Sequence, residues 1–176
     1  MTTFVTCRRG CVHWGNRGAA GLLVYRYLTS GEVQMLLGLR AEQCDHPLTW
    51  ATIGGAIENG ESARQAMERE VMEEIGLNIR EFLWPVGEVI DDHGGWSYIT
   101  FVADPRKHFE ISDLKLDTNE IKKVEWVTRK DLASRNLHPN FAAFVKDKLD
   151  IWVPPDVDPS VVHLYILNYG SGPMEI

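Results

Sequence analysis

Residues 54–77, GGAIENGESARQAMEREVMEEIGL, constrain the fold of this chain more than any other stretch. Ser62 followed three residues later by Gln65 fits a capping box, which starts a helix near Ala63. Gly76 stands where a helix-ending glycine belongs. Ala63, Ala66, Met67, Val71 and Ile75 recur at helical spacing and supply an apolar face. A Gly54-Gly55 pair and an Asn59-Gly60 turn precede the helix. At about 100° per residue, Glu74 lies roughly +40° and Glu73 roughly −60° from Glu70. Three carboxylates therefore share one arc of the helix, where like charges repel. A solvated acidic face is the bland alternative for such a run. The glycine turn and the caps favour a cation site instead, and hard divalent ions such as Mg²⁺ take oxygen ligands and bridge to phosphates.

The spacing resembles the Nudix hydrolase signature, G-x5-E-x7-R-E-U-x-E-E-x-G-U, with U a bulky aliphatic residue. Gly55, Glu61, Arg69, Glu70, Val71, Glu73, Glu74, Gly76 and Leu77 meet every fixed position. The motif covers residues 55–77. The resemblance implies an α/β fold, an α/β/α sandwich around a mixed β-sheet. It implies hydrolysis of a nucleoside diphosphate linked to another group X, with Mg²⁺, or Mn²⁺, as cofactor. Glu70, Glu73 and Glu74 match the family's metal-binding glutamates, with a backbone carbonyl of the Gly54-Gly55 turn as a further ligand. Arg69 is expected to orient a glutamate, and Glu61 to support the turn or a second metal. Glu73, Glu74, Arg69 and Glu120 form the expected catalytic set.

Strand alternation places residues 121, 123 and 125 on one face and 120, 122 and 124 on the other. At most one of Glu120 and Glu125 then faces the site, and Glu120, at the loop–strand junction, is the chosen candidate for general base. Trp50, Tyr98 and Asn140 are the candidate substrate contacts, with Trp96 and Phe141 as further rings able to stack a base. Asn140 lies in LHPNF, a segment similar to a base-contacting one in some nucleotide-pool relatives. Trp50 is followed by Ala51-Thr52-Ile53 rather than the Leu-Pro common in the family, so the pocket wall departs from the usual pattern.

The 176 residues suit one domain, with a core at about 16–150 and residues 151–176 as a C-terminal extension. A net charge of −7 argues against a broad nucleic-acid surface and disfavours RNA decapping. No apolar run reaches membrane-spanning length. The start of the sequence lacks a signal-peptide pattern, and three cysteines fit reduced thiols in a cytoplasm. Cys7, Cys11 and His13 cluster in sequence, as do Cys44 and His46. Together they could compose a zinc site, but the spacing matches none of the usual finger patterns, and plain thiols are the preferred reading.

Strands are expected at 18–28, 32–40, 50–57, 86–90, 96–102 and 120–128, and a helix at 139–152. Residues 104–119 read as a surface connection, and 161–167 as an edge strand after irregular, proline-interrupted chain. The expected substrate is a (deoxy)nucleoside triphosphate, oxidised forms included. ADP-ribose or another nucleotide sugar is the alternative, and a non-catalytic nucleotide-binding module the second. A homodimer is the family-level expectation for assembly.

Overall fold

A computed structural model describes residues 4–166. Its strands are β1 (Phe4–Thr6), β2 (Val12–Trp14), β3 (Ala19–Tyr27), β4 (Val33–Arg40), β5 (Trp50–Ala51), β6 (Ile53–Ala56), β7 (Leu83–Asp92), β8 (Ser97–Pro105) and β9 (Ile121–Thr128). Its helices are α1 (Ala63–Ile75), α2 (Ile79–Phe82), α3 (Arg129–Leu132), α4 (Pro139–Asp147), α5 (Leu149–Trp152) and α6 (His163–Ile166).

β3 organises the main sheet. Every residue in it except Arg26 is buried, as an apolar strand covered on both faces requires. It runs parallel to β8 and antiparallel to β6 along its first half, and pairs antiparallel with β4 at its end. β4 carries β9 and β5, and β7 closes the other edge against β8, so the sheet is mixed. Side-chain alternation divides β3 between two layers. Leu22 and Val24 pack with Ala66, Met67, Val71 and Ile75 of α1. Leu23 and Tyr25 pack with Phe141 and Phe144 of α4 and with Leu149. The result is the expected α/β/α arrangement.

α1 forms as its sequence dictates. The Ser62 side chain accepts a bond from the Gln65 N–H, and the Gln65 side chain accepts one from the Ser62 N–H. Gly76 ends the helix in the left-handed conformation, φ 68°, where a Cβ would be strained.

Several sequence expectations change. The strand expected at 50–57 is divided at Thr52 into β5, on β4, and β6, on β3. The helix expected at 139–152 is broken at Lys148, whose backbone leaves helical geometry. Strict alternation fails at the start of β9: a register shift opposite Leu39 and Arg40 puts Ile121 in the same core cluster as Val124. Residues 161–166 form a turn and the short α6 rather than an edge strand, and residue 167 lies outside the described residues. β1 and β2 lie outside the strands expected from the sequence and form a separate two-stranded hairpin. Among the described residues, no helix is long and apolar enough to cross a membrane.

Candidate active site

α1 lies across the β6 end of the sheet, and this contact brings the carboxylates to the glycine turn. The Gly54 N–H donates to Glu74 Oε2 at 3.3 Å. A Cβ at Gly55 would stand 2.6 Å from the Glu70 carboxyl carbon, so only glycine leaves room for that carboxylate over the backbone. Glu74 is only 6% exposed. Burial first, then repulsion from Glu70 and Glu120, pushes its pKa up to about 8. Glu70 is also raised, by burial above all and by Glu73 and Glu120 in addition, against the opposing pull of Arg69.

Arg69 grips the cluster from the outside. Its Nε donates to Glu61 Oε1 at 2.7 Å and its Nη2 to Glu61 Oε2 at 3.1 Å, a bidentate pair. Its Nη1 reaches Glu70 Oε1 at 2.8 Å and Glu73 Oε2 at 3.2 Å, and its Nη2 also reaches the Ala56 carbonyl at 3.0 Å. These bonds hold the Glu61 carboxyl below its usual range. Glu73 lies at the solvent edge, its side chain 60% exposed, while Glu70 is half-buried and Glu74 buried.

The carboxylate set offers the oxygen donors that a hard divalent cation takes. Two acids on one helix face, Glu70 and Glu74, are held beside a glycine backbone, and a third, Glu120, acts on both electrostatically. Burial and mutual repulsion disfavour ionisation of Glu70 and Glu74, and a hard cation would reverse both effects. Gly54 and Gly55 line a cavity of about 930 Å³, which Glu120 also lines. Glu125 is turned away into ion pairs with Lys123 and Arg135.

Of the candidate substrate contacts, Tyr98 and Asn140 line this cavity, as do Trp96 and Phe141. The Tyr98 hydroxyl lies 2.8 Å from the Thr52 hydroxyl. The expectation for Trp50 is corrected. Trp50 is buried in the core layer with α4, its ring covered by the Arg135 guanidinium at 4.5 Å, and is not among the cavity's lining residues. Trp96 is 5% exposed and offers little ring, because His13 stacks on it at 3.8 Å.

The structure brings further residues to the cavity beyond the candidate substrate contacts. Arg40, at the end of β4, lines the cavity and is held by its Nε bond to the Asp45 carbonyl. His138, within LHPNF, lines it too. Burial first, then Arg40 and His46, push its pKa down to about 4. Arg9, Trp14 and His93 line the cavity as well. No local spacing marks these residues, because four separate segments bring them together.

The grouping of Cys7, Cys11 and His13 with Cys44 and His46 is also corrected. Cys44 Sγ lies 3.3 Å from Glu120 Oε2, and His46 packs edge-on to His138. Cys7, Cys11 and His13 meet His93 instead.

The family model described as the NUDIX domain matches residues 16–148. A Mycobacterium tuberculosis protein named "Putative 8-oxo-dGTP diphosphatase 3" is 34% identical over 147 residues, 80% of this chain and 65% of the relative. A Bifidobacterium longum "Nucleoside triphosphate pyrophosphatase/Nudix hydrolase fusion protein" is 33% identical over 149 residues, 80% of this chain and 30% of the relative. The chain thus spans less than two thirds of the length of these relatives. The crystal structure of RenU, a Nudix hydrolase from Mycobacterium smegmatis, is 30% identical with a TM-score of 0.67, covering 85% of this chain and 93% of that one. With an intact signature, its helix set over a glycine turn and a family match across most of the sequence, the chain belongs to the Nudix hydrolase family.

Proposed function

We propose that this protein is a Mg²⁺-dependent, or Mn²⁺-dependent, hydrolase of the pyrophosphate bond in nucleoside diphosphates linked to another group, with (deoxy)nucleoside triphosphates, oxidised forms included, as its substrate class. The observation that carries the proposal is the placement of Glu70 and Glu74 against the Gly54-Gly55 backbone at the margin of a cavity large enough for a nucleotide. The names of the two sequence relatives, one an 8-oxo-dGTP diphosphatase and one a nucleoside triphosphate pyrophosphatase fusion, support the choice of triphosphates. Nudix hydrolases generally use divalent metal ions and act on small nucleotide substrates.

Glu70, Glu74 and a carbonyl of the glycine turn would hold the ion. When bound, it neutralises phosphate charge and makes water a better nucleophile. Arg69 fixes the Glu70 carboxylate and ties it to Glu61, so the ligand geometry is set before substrate arrives. Glu73 completes that clamp from the solvent side. Glu120, exposed and on the cavity wall, would accept the proton of the attacking water. The water oxygen bonds to one phosphorus as the bond from that phosphorus to the bridging oxygen breaks, and the electron pair leaves with the departing phosphate. Tyr98, Asn140 and Phe141 line the region available to the base.

The test is product analysis with Mg²⁺ and with Mn²⁺ across NTPs, dNTPs, oxidised dGTP, ADP-ribose, dinucleoside polyphosphates and NADH. Cleavage of triphosphates to monophosphate and pyrophosphate supports the reading. Preferential cleavage of ADP-ribose moves the protein to the nucleotide-sugar class. Tight nucleotide binding with no cleavage of any member overturns catalysis.

A further inference from the structure

The N-terminal hairpin carries a second constellation that the hydrolytic site does not use. Cys7 follows β1, Cys11 precedes β2 and His13 lies within β2, while His93 comes from the turn between β7 and β8. One ligand atom from each of these four residues lies within 4.8 Å of all the others. In a tetrahedral zinc site, bonds of about 2.3 Å to sulfur and 2.0–2.1 Å to nitrogen put ligands roughly 3.3–3.8 Å apart. The four side chains therefore need only small rotations to close on an ion.

The histidines show an independent sign. His13 is 9% exposed and its Nε2 has no hydrogen-bond partner; His93 is 8% exposed and its Nδ1 has none. Buried polar atoms are rarely left unpaired without a reason. The other nitrogen of His93, Nε2, sits 2.7 Å from Asp91 Oδ2. A proton on Nε2, donated to that carboxylate, leaves a lone pair on Nδ1, the arrangement found behind metal-binding histidines. His13 is locked in place by its stack on Trp96. Between the cysteines, the Cys7 N–H donates to the Cys11 carbonyl and the Gly10 N–H to the Cys7 carbonyl, a tight turn that turns both thiols to one side. Cys7, Cys11 and His13 all precede residue 16, where the match to the family begins.

We propose that Cys7, Cys11, His13 and His93 bind a structural zinc ion that staples the N-terminal hairpin to the β7–β8 turn. Soft sulfur and imidazole ligands favour zinc over Mg²⁺, so this site and the carboxylate site select different metals. The two thiols release their protons to solvent on binding, and two thiolates, two neutral imidazoles and Zn²⁺ sum to no net charge. A two-stranded hairpin is marginal on its own. Here it is otherwise tied down by the Arg8 N–H bond to the Gly94 carbonyl, by Arg9 on Asp91 and Asp92, and by the Trp96 Nε1 bond to the Trp14 carbonyl. Arg9, Cys11, His13, Trp14 and His93 line the cavity, so the ion would also fix that part of the cavity wall.

The test is elemental analysis of the full chain, produced without a histidine tag and purified without chelators. About one zinc per chain is expected, retained in Cys44→Ser and in Glu74→Gln and lost in Cys11→Ser and His93→Ala. Cobalt exchanged into the wild-type protein should show the intense visible bands of tetrahedral coordination and a thiolate charge-transfer band, a readout that needs no variant. Chelation should speed amide exchange in residues 4–14 and 93–96 by about tenfold or more, with α1 unchanged. Absence of zinc, a Cys7–Cys11 disulfide in the purified protein, cobalt spectra without thiolate bands, or zinc lost from Glu74→Gln but kept by Cys11→Ser would each overturn the proposal.

Discussion

Gly55 and Glu70 are in such close approach that a Cβ on the glycine would fall 2.6 Å from either the carboxyl carbon or Oε1 of the glutamate. The obstructed atoms end a flexible side chain, so Gly55→Ala should fold, with a stability loss of about 1 kcal/mol. The displaced carboxylate would leave its clamp on Arg69, and metal-dependent turnover should fall by about tenfold or more. Thermal melts beside a Mg²⁺ titration of kcat check both halves.

Glu74 is held protonated by burial and by its acidic neighbours, with a pKa pushed up to about 8 in the metal-free protein. A carboxyl raised in the folded state binds a proton that the unfolded chain has already released. Metal-free stability should therefore fall as pH rises from about 4.3 toward 8. Glu74→Gln should remove that slope and be more stable than wild type at pH 8 by about 1–3 kcal/mol, while losing turnover. Urea unfolding in chelator at several pH values measures it. A variant less stable than wild type at pH 8 would contradict the buried charge, and near-normal turnover at saturating metal would contradict the ligand role.

Arg69 makes its contacts through a planar fork that lysine cannot reproduce. Arg69→Lys keeps the charge, yet it should lower kcat or metal affinity by about 10- to 100-fold. Glu61→Gln, which leaves the bond to Glu70 in place, should cost less. The half-saturating Mg²⁺ concentration of each variant gives the comparison.

His138 has its pKa pushed down to about 4 by burial and by Arg40 and His46. The folded state favours neutral imidazole, so this contribution is complete above the unfolded value of about 6.5. It is lost as pH falls from there toward 4. The ring is partly exposed, which limits the effect to about 1–2 kcal/mol. His138 Nδ1 also caps α4 through the Asn140 N–H, and His138→Asn keeps a capping side chain. Its unfolding free energy should change less than that of wild type between pH 7 and pH 4.5.

The glycine turn, the capping box and the acidic face of α1 were legible because each is set by residues within a few positions of one another. Helical period and cap chemistry act locally, so the spacing of Glu70, Arg69 and Glu74 fixed their relative directions before any tertiary contact formed. The same logic failed at the start of β9, where a register shift against β4 broke the alternation. It failed again at Trp50, which burial against α4 and the cover of Arg135 took into the core.

Local spacing sets the directions of the side chains on one helix. Which distant side chains meet is settled by how separate segments pack. His93 joins Cys7, Cys11 and His13 because the N-terminal hairpin docks on the β7–β8 turn, while Cys44 goes to Glu120 and His46 to His138. Those partnerships depend on strand register and on the packing of separate segments, and no local period encodes either.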